Sequence, residues 1–249
     1  VPDLVELSPA RFAALVAPAV SRVFVAGIES GRAQGGRELV GRYGGPSAAG
    51  NLIEFRTSLA WPGRAVSRTE AAGVCRYRDL DEFDRTVDEH VQHGMLERTD
   101  DGGFRATERG LEFLTELYDL HGRATGELWK RQQHMLGRLV PALGTLVRAA
   151  TVTGGDAFAA MTPVWEPRGA PAGLLVFNRL SALRYHRADA HAAAWTAAGL
   201  TAAEMVTMKR DRDTDPIEAE TNRRAAAPFR VLPAADRIAL LADLAALPG

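Results

Sequence analysis

The sequence predicts a mainly α-helical protein with one short β-hairpin, and three observations lead there. Apolar residues recur at helical spacing through most of the 249-residue chain, in which alanine, leucine and arginine abound and aromatic residues are sparse. One stretch breaks that period: residues 95–106, MLERTDDGGFRA, set two short extended pieces around Asp101-Gly102-Gly103, a tight-turn composition. Helix-capping residues stand on both sides of it.

Residues 46–60 suit a helix. Ser67 is placed to cap a second, short helix running through Cys75, with Glu70 three residues on to complete a capping box. Asp79 caps a third through about His93, where Gly94 provides a stop. After the hairpin, Thr107 caps a long helix beginning ERGLEFLTELY. The run LWKRQQHMLGRLVPALGTLVRAATV then continues as helix with an interruption near Pro141. Residues 153–173, TGGDAFAAMTPVWEPRGAPAG, are rich in Gly and Pro and read as a linker. The expected division is an N-terminal unit over 1–152, that linker, and a C-terminal helical unit over 174–249 whose last region opens at Asp215-Pro216.

Helix, helix, helix, hairpin, helix is the order of a winged helix-turn-helix. Residues 47–120, through VSRTEAAGVCRYRDLDEFDRTVDEHVQHGMLERTDDGGFRATERG, resemble the MarR-like winged-helix regulators, with GMLER before the wing and FRATERG after it. The last third, through LRYHRADAHAAAWTAAGLTAAEM and IEAETNRRAAAPF, is similar to an uncharacterised actinobacterial helix-turn-helix family. Both resemblances imply fold. Neither supplies a mechanism.

Thirty basic against thirty-one acidic residues create no global field toward nucleic acid or anionic membrane. No apolar run reads as long enough to cross a bilayer, and no signal-peptide pattern opens the chain, so a cytoplasmic protein is expected. The single cysteine, Cys75, excludes an intramolecular disulfide and reads as a buried thiol. The glycine-rich residues 27–45 have no GK[ST] ending and no preceding strand, so they fail as a phosphate loop and read as a mobile connection. No GxSxG or other nucleophile–base pair is recognisable, and no cofactor is implied.

A DNA-reading third helix should present a neutral or basic face. This one carries Asp79, Asp81, Glu82, Asp84, Asp88 and Glu89 against Arg85 alone. Leu80, Phe83, Val87 and Val91 fall on the core side, turning Arg85 outward between Glu82 and Glu89 to pair within the helix. Duplex DNA would have to be gripped by Arg68, Arg76, Arg78, Arg98 and Arg105 beside it. Duplex binding is disfavoured on this ground.

The most polar segment of the second unit is LRYHRADAHAAAW. As one helix over 174–198, it has an apolar stripe of Val176, Leu180, Leu183, Ala190 and Ala194, with Arg187 near its centre. Arg187 there needs a carboxylate such as Glu218 or Glu220, a ligand or solvent. Arg184, Arg187, His191 and Trp195 form a ridge suited to a small anionic or aromatic molecule. His186 and His191, five apart, point about 140° away from each other on a helix turning ~100° per residue, so no metal pair is expected. His186 pairs with Asp189 at the surface in the plainest reading, and His121 packs between helices.

The preferred expectation is a homodimeric, small-molecule-binding winged-helix protein. Its pocket lies between the halves and is lined by Arg184, Arg187, His191, Trp195 and Trp165, with Trp61 a core anchor. The alternatives are a MarR-like transcriptional regulator, and an enzyme using His191 as acid/base with Asp189 or Tyr185.

Overall fold

The computed structural model describes residues 7–208 and 216–249, which excludes Asp215, the expected start of the last region. Helices form most of it, with a small three-stranded antiparallel sheet. Helix α1 (Pro9–Gly31) starts at Ser8, whose hydroxyl accepts the Arg11 N–H, and has proline at its first position. It runs through a π-helical turn, Arg32–Gly36, into α2 (Arg37–Arg42). The glycine-rich segment expected as an open connection is thus largely helical, and Gly35 supplies the one left-handed residue (φ 110°) at the kink.

The helix expected over 46–60 is two helices, α3 (Pro46–Glu54) and α4 (Arg56–Leu59), because the chain leaves helical geometry at the fully buried Phe55. Strand β1 (Ala65–Val66) and α5 (Arg68–Val74) follow, the latter with the complete Ser67–Glu70 capping box. In α6 (Leu80–Gln92) the Asp79 carboxylate accepts the N–H groups of Asp81 and Glu82, and Gly94 (φ 70°) ends the helix. Strands β2 (Leu96–Arg98) and β3 (Phe104–Ala106) form the hairpin. β3 lies between β1 and β2, with Arg105 opposite Ala65 on one side and Glu97 on the other.

The face of α6 differs from expectation at both ends. Phe83 and Val87 are buried, but Leu80 is 43 % exposed. The fully buried place at the far end belongs to His90 instead. Its Nδ1 donates to Thr86 O (2.6 Å), and its Nε2 accepts the Asn51 N–H (3.0 Å). These two hydrogen bonds fix the tautomer and tie α6 to α3, while burial depresses the ring's pKa. Arg85 donates to Asp81 O rather than pairing with Glu82 or Glu89.

Helix α7 (Glu108–Leu128) is capped by Thr107, and α8 (Gln133–Ala150) continues through Pro141 without the expected interruption. The stretch expected as a linker is packed: α9 (Asp156–Ala159) lies against α5, and Phe158 and Met161 are buried. Then come α10 (Ala172–Ala197), unbroken over 26 residues, α11 (Ala202–Thr207), α12 (Pro216–Ala225), a 3₁₀ turn at Ala227–Val231 and α13 (Ala234–Ala246).

One hydrophobic core extends from Phe12 to Leu247 across the boundary expected between two units. Helix α1 is its central member, packing on α7, α10, α12 and α13. Contrary to expectation, the helical stretch Pro9–Arg42 is long and apolar enough by composition to cross a membrane, with a window of mean hydropathy 1.6. In the folded chain it is a core helix, with Phe12, Val16 and Val23 buried.

Candidate functional site

Helix α10 positions the candidate site. Val176, Leu180, Leu183, Ala190 and Ala194 are all buried, as their spacing predicts. Arg184, Arg187 and His191, at intervals of three and four, share the flank that meets α1 and α12. Between these helices and the 3₁₀ turn lies a cleft of about 400 Å³. Val16 and Val20 of α1, Leu183 and Phe229 line its apolar side, while Arg184, Arg187, His191, Glu218 and Thr221 line its polar side.

The polar side chains are not equivalent. Arg187 forms an ion pair with Glu218 and donates to Asn222 Oδ1 (2.8 Å), the acidic partnership its place on the apolar stripe called for. Burial lowers its proton affinity, and Glu218 offsets part of that. His191 Nδ1 lies 3.1 Å from Thr221 Oγ1, whose own hydrogen goes to Ile217 O (2.7 Å). The histidine is therefore the donor in that pair, which places its hydrogen on Nδ1.

Arg184 has no carboxylate partner among the described residues. Its guanidinium lies 4.3 Å from the centre of the Phe24 ring. Phe24 stacks on Phe177 at 5.0 Å, and Arg56 sits 4.9 Å from the Phe177 ring centre. Burial and the Arg56 charge both lower the Arg184 pKa. Arg56 is itself 4 % exposed and donates only to Ile53 O (3.1 Å) among the described residues. Two cations thus flank one aromatic pair, and one of them borders the cleft. Tyr185, also on the cleft, donates to Glu54 (3.2 Å), which pairs with Arg78 (2.8 Å).

The two expected tryptophans lie elsewhere. Trp195 donates to the Tyr77 hydroxyl (3.1 Å) outside the cleft, and Trp165 packs edge-on against Trp61 at 4.6 Å. Only Trp129 is fully buried; Trp61, expected as a core anchor, is half-buried.

His186 and Asp189 do not pair at the surface. His186 is 3 % exposed, bonded to Thr153 (2.9 Å) and edge-on to Phe158, and burial pushes its pKa down to about 4. Asp189 points to the far side of α10. It accepts the N–H groups of Gly155 (3.0 Å), Ala157 (3.3 Å) and Phe158 (2.8 Å) and forms a short ion pair with Arg76. With Asp189 so committed and Tyr185 on Glu54, neither stands beside His191 as an acid/base partner.

Each arginine considered for DNA already has an internal carboxylate. Arg68 pairs with Asp84, Arg98 with Asp84 and Asp88, Arg105 with Glu97, Arg78 with Glu54, and Arg76 with Asp189. The acidic residues of α6 are thus partly neutralised by the arginines expected to reach phosphates. Cys75 is buried and its thiol is pushed up to about 11. Among the described residues, no group of three or more His, Cys, Asp or Glu side chains could hold a metal ion.

Sequence reasoning missed the α1 wall and Phe229. No local signal could have found them, since they meet α10 only through the fold. Compared with known protein families, curated proteins and solved structures, the chain shows no match.

Proposed function

We propose that this chain is a winged-helix-derived protein whose working surface is the cleft between α1, α10 and α12, where it binds a small planar anion with an apolar body. The observation that carries the reading is Arg184: a largely buried cation, stacked on Phe24 and bordering an apolar cleft, with no carboxylate partner among the described residues. A bound carboxylate would supply the missing countercharge, and arginine beside an aromatic face suits an aryl acid. His191, Thr221 and the Arg187–Glu218 pair form the rest of the polar wall and set the orientation of the guest. The volume fits a ligand at the small end of the usual range.

The order α3, α5, α6, hairpin, α7 supports the winged helix-turn-helix reading. DNA recognition fits less well, because binding a duplex would require breaking the ion pairs of Arg68, Arg98 and Arg76 before phosphates were met.

The test is calorimetric titration of 2-naphthoate into the full chain and into Arg184→Met. Saturable binding that Arg184→Met weakens at least tenfold supports the proposal, that factor being the loss of one charge-assisted hydrogen bond of roughly 1.5 kcal/mol. Absence of binding, or equal binding by both proteins, would remove the cleft as an anion site.

A further inference from the structure

A second cavity, of about 1000 Å³, opens between α1, the π-helical turn, α2, α3 and α7. It shares no lining residue with the Arg184 cleft. Its walls are Ile28, Val40, Ile53, Leu117 and Leu120, interleaved with glycines that leave backbone rather than side chain at the surface. The charged residues at its margin, Glu29 and Glu38 against Arg32 and Arg37, cancel. Volume, apolar lining and absence of net charge together describe a site for a neutral, hydrophobic molecule.

One polar group stands among these walls. His121 lines the cavity and is only 5 % exposed, yet its buried Nδ1 makes no hydrogen bond with any described residue. Its neighbours are the edge of Phe177 at 4.9 Å and the backbone at Gly31, where a Cβ would come within 2.8 Å of the ring. Buried polar groups in folded proteins are nearly always bonded, so an unbonded histidine lining a cavity marks a place for a partner. Burial and the nearby Arg56 charge push His121 down to about 3. The ring stays neutral throughout the physiological range and offers an acceptor to a hydroxyl. The site is distinct from the anion cleft, because His121 lies against Phe177 and Arg184 against Phe24, with the stacked ring pair between them.

We infer that this glycine-walled cavity is a second small-molecule site, taking a neutral, largely apolar molecule that anchors one hydroxyl on His121.

The experiment compares 2-naphthol with naphthalene, which lacks only the hydroxyl, by equilibrium titration on the full chain. Wild type should bind both saturably and prefer 2-naphthol roughly five- to tenfold, the contribution of one neutral buried hydrogen bond. His121→Phe keeps an aromatic edge against Phe177 and should abolish the preference while retaining naphthalene. Val40→Trp narrows the cavity and should weaken both probes, whereas Arg184→Met should change neither. Circular dichroism and thermal unfolding establish that each variant folds. Should one fail, the ring ¹⁵N resonances of His121 in the wild-type chain decide, since they must shift with 2-naphthol and not with naphthalene. The inference is overturned if wild type binds neither probe, if the preference survives His121→Phe, or if it follows Arg184→Met instead.

Discussion

Replacing Glu218 by glutamine should strengthen the binding of an aryl carboxylate, although Glu218 lines the cleft. Glu218 is the countercharge of Arg187, and the two side chains are 40 % and 24 % exposed. A ligand carboxylate on Arg184 would therefore meet two cations and one anion. At ~6 Å from Glu218 and an effective dielectric of ~40, between bulk water and a buried site, the repulsion is about 1.4 kcal/mol. Removing it corresponds to about tenfold in affinity. Glutamine keeps a carbonyl to accept from Arg187, so the geometry is preserved while the charge is lost. Arg184→Met should act in the opposite direction by at least as much. Titrating 2-naphthoate at two ionic strengths reads both effects, and both should shrink as salt screens the field. If Glu218→Gln weakens binding, or if the two variants change affinity with the same sign, the charge argument for the cleft is wrong.

Other expectations follow from contacts already described. Asp189→Asn should cost about 3–5 kcal/mol, since it leaves a buried Arg76 without its anion and weakens the three hydrogen bonds that the carboxylate accepts from backbone N–H groups. Thermal unfolding should register this as a drop of roughly 6–20 °C, and a drop under ~2 °C would contradict the assigned role. Fluorescence anisotropy with duplex DNA at low salt should show no steeply salt-dependent binding, and a steep slope would mean that the arginine–carboxylate pairs open readily. His186 and His121, held neutral near pKa values of about 4 and about 3, make stability fall as pH drops below ~6.5, because only the unfolded chain then takes up their protons. The slope is about 1.4 kcal/mol per pH unit for each ring until its folded pKa is reached. Denaturant titrations between pH 6.5 and 5 should show His121→Phe with the shallower dependence.

Capping chemistry was the most legible part of the chain. Ser67 with Glu70, Asp79, Gly94 and Thr107 mark boundaries that the structure places within a residue or two, because each signal is local. Strand β1 was not legible, since two residues carry no periodicity and its pairing with β3 depends on a turn of chain some forty residues later. Pro141, expected as an interruption, shows the converse: tertiary packing around α8 outweighs one lost backbone bond. For the site, helical spacing grouped Arg184, Arg187 and His191 on one flank and separated His186 from them. It could not say that Trp195 would turn to Tyr77 or that Asp189 would hold α9. Those partners come from distant elements. The aromatic pair separating the two cavities, Phe24 and Phe177, joins residues far apart in the sequence and left no trace in either local stretch.

The central position of α1 also constrains how the chain is made. Arg22 donates to Leu244 O across 222 residues of sequence, and part of the apolar face of α1 is covered by α12 and α13, which are translated much later. At ribosomal rates of roughly 5–20 residues per second, α1 emerges some ten to forty seconds before its final neighbours exist. During that interval α1, one of the most hydrophobic helices in the protein, can dock on α7 and then α10, while the part of its apolar face that α12 and α13 cover stays open until they are made.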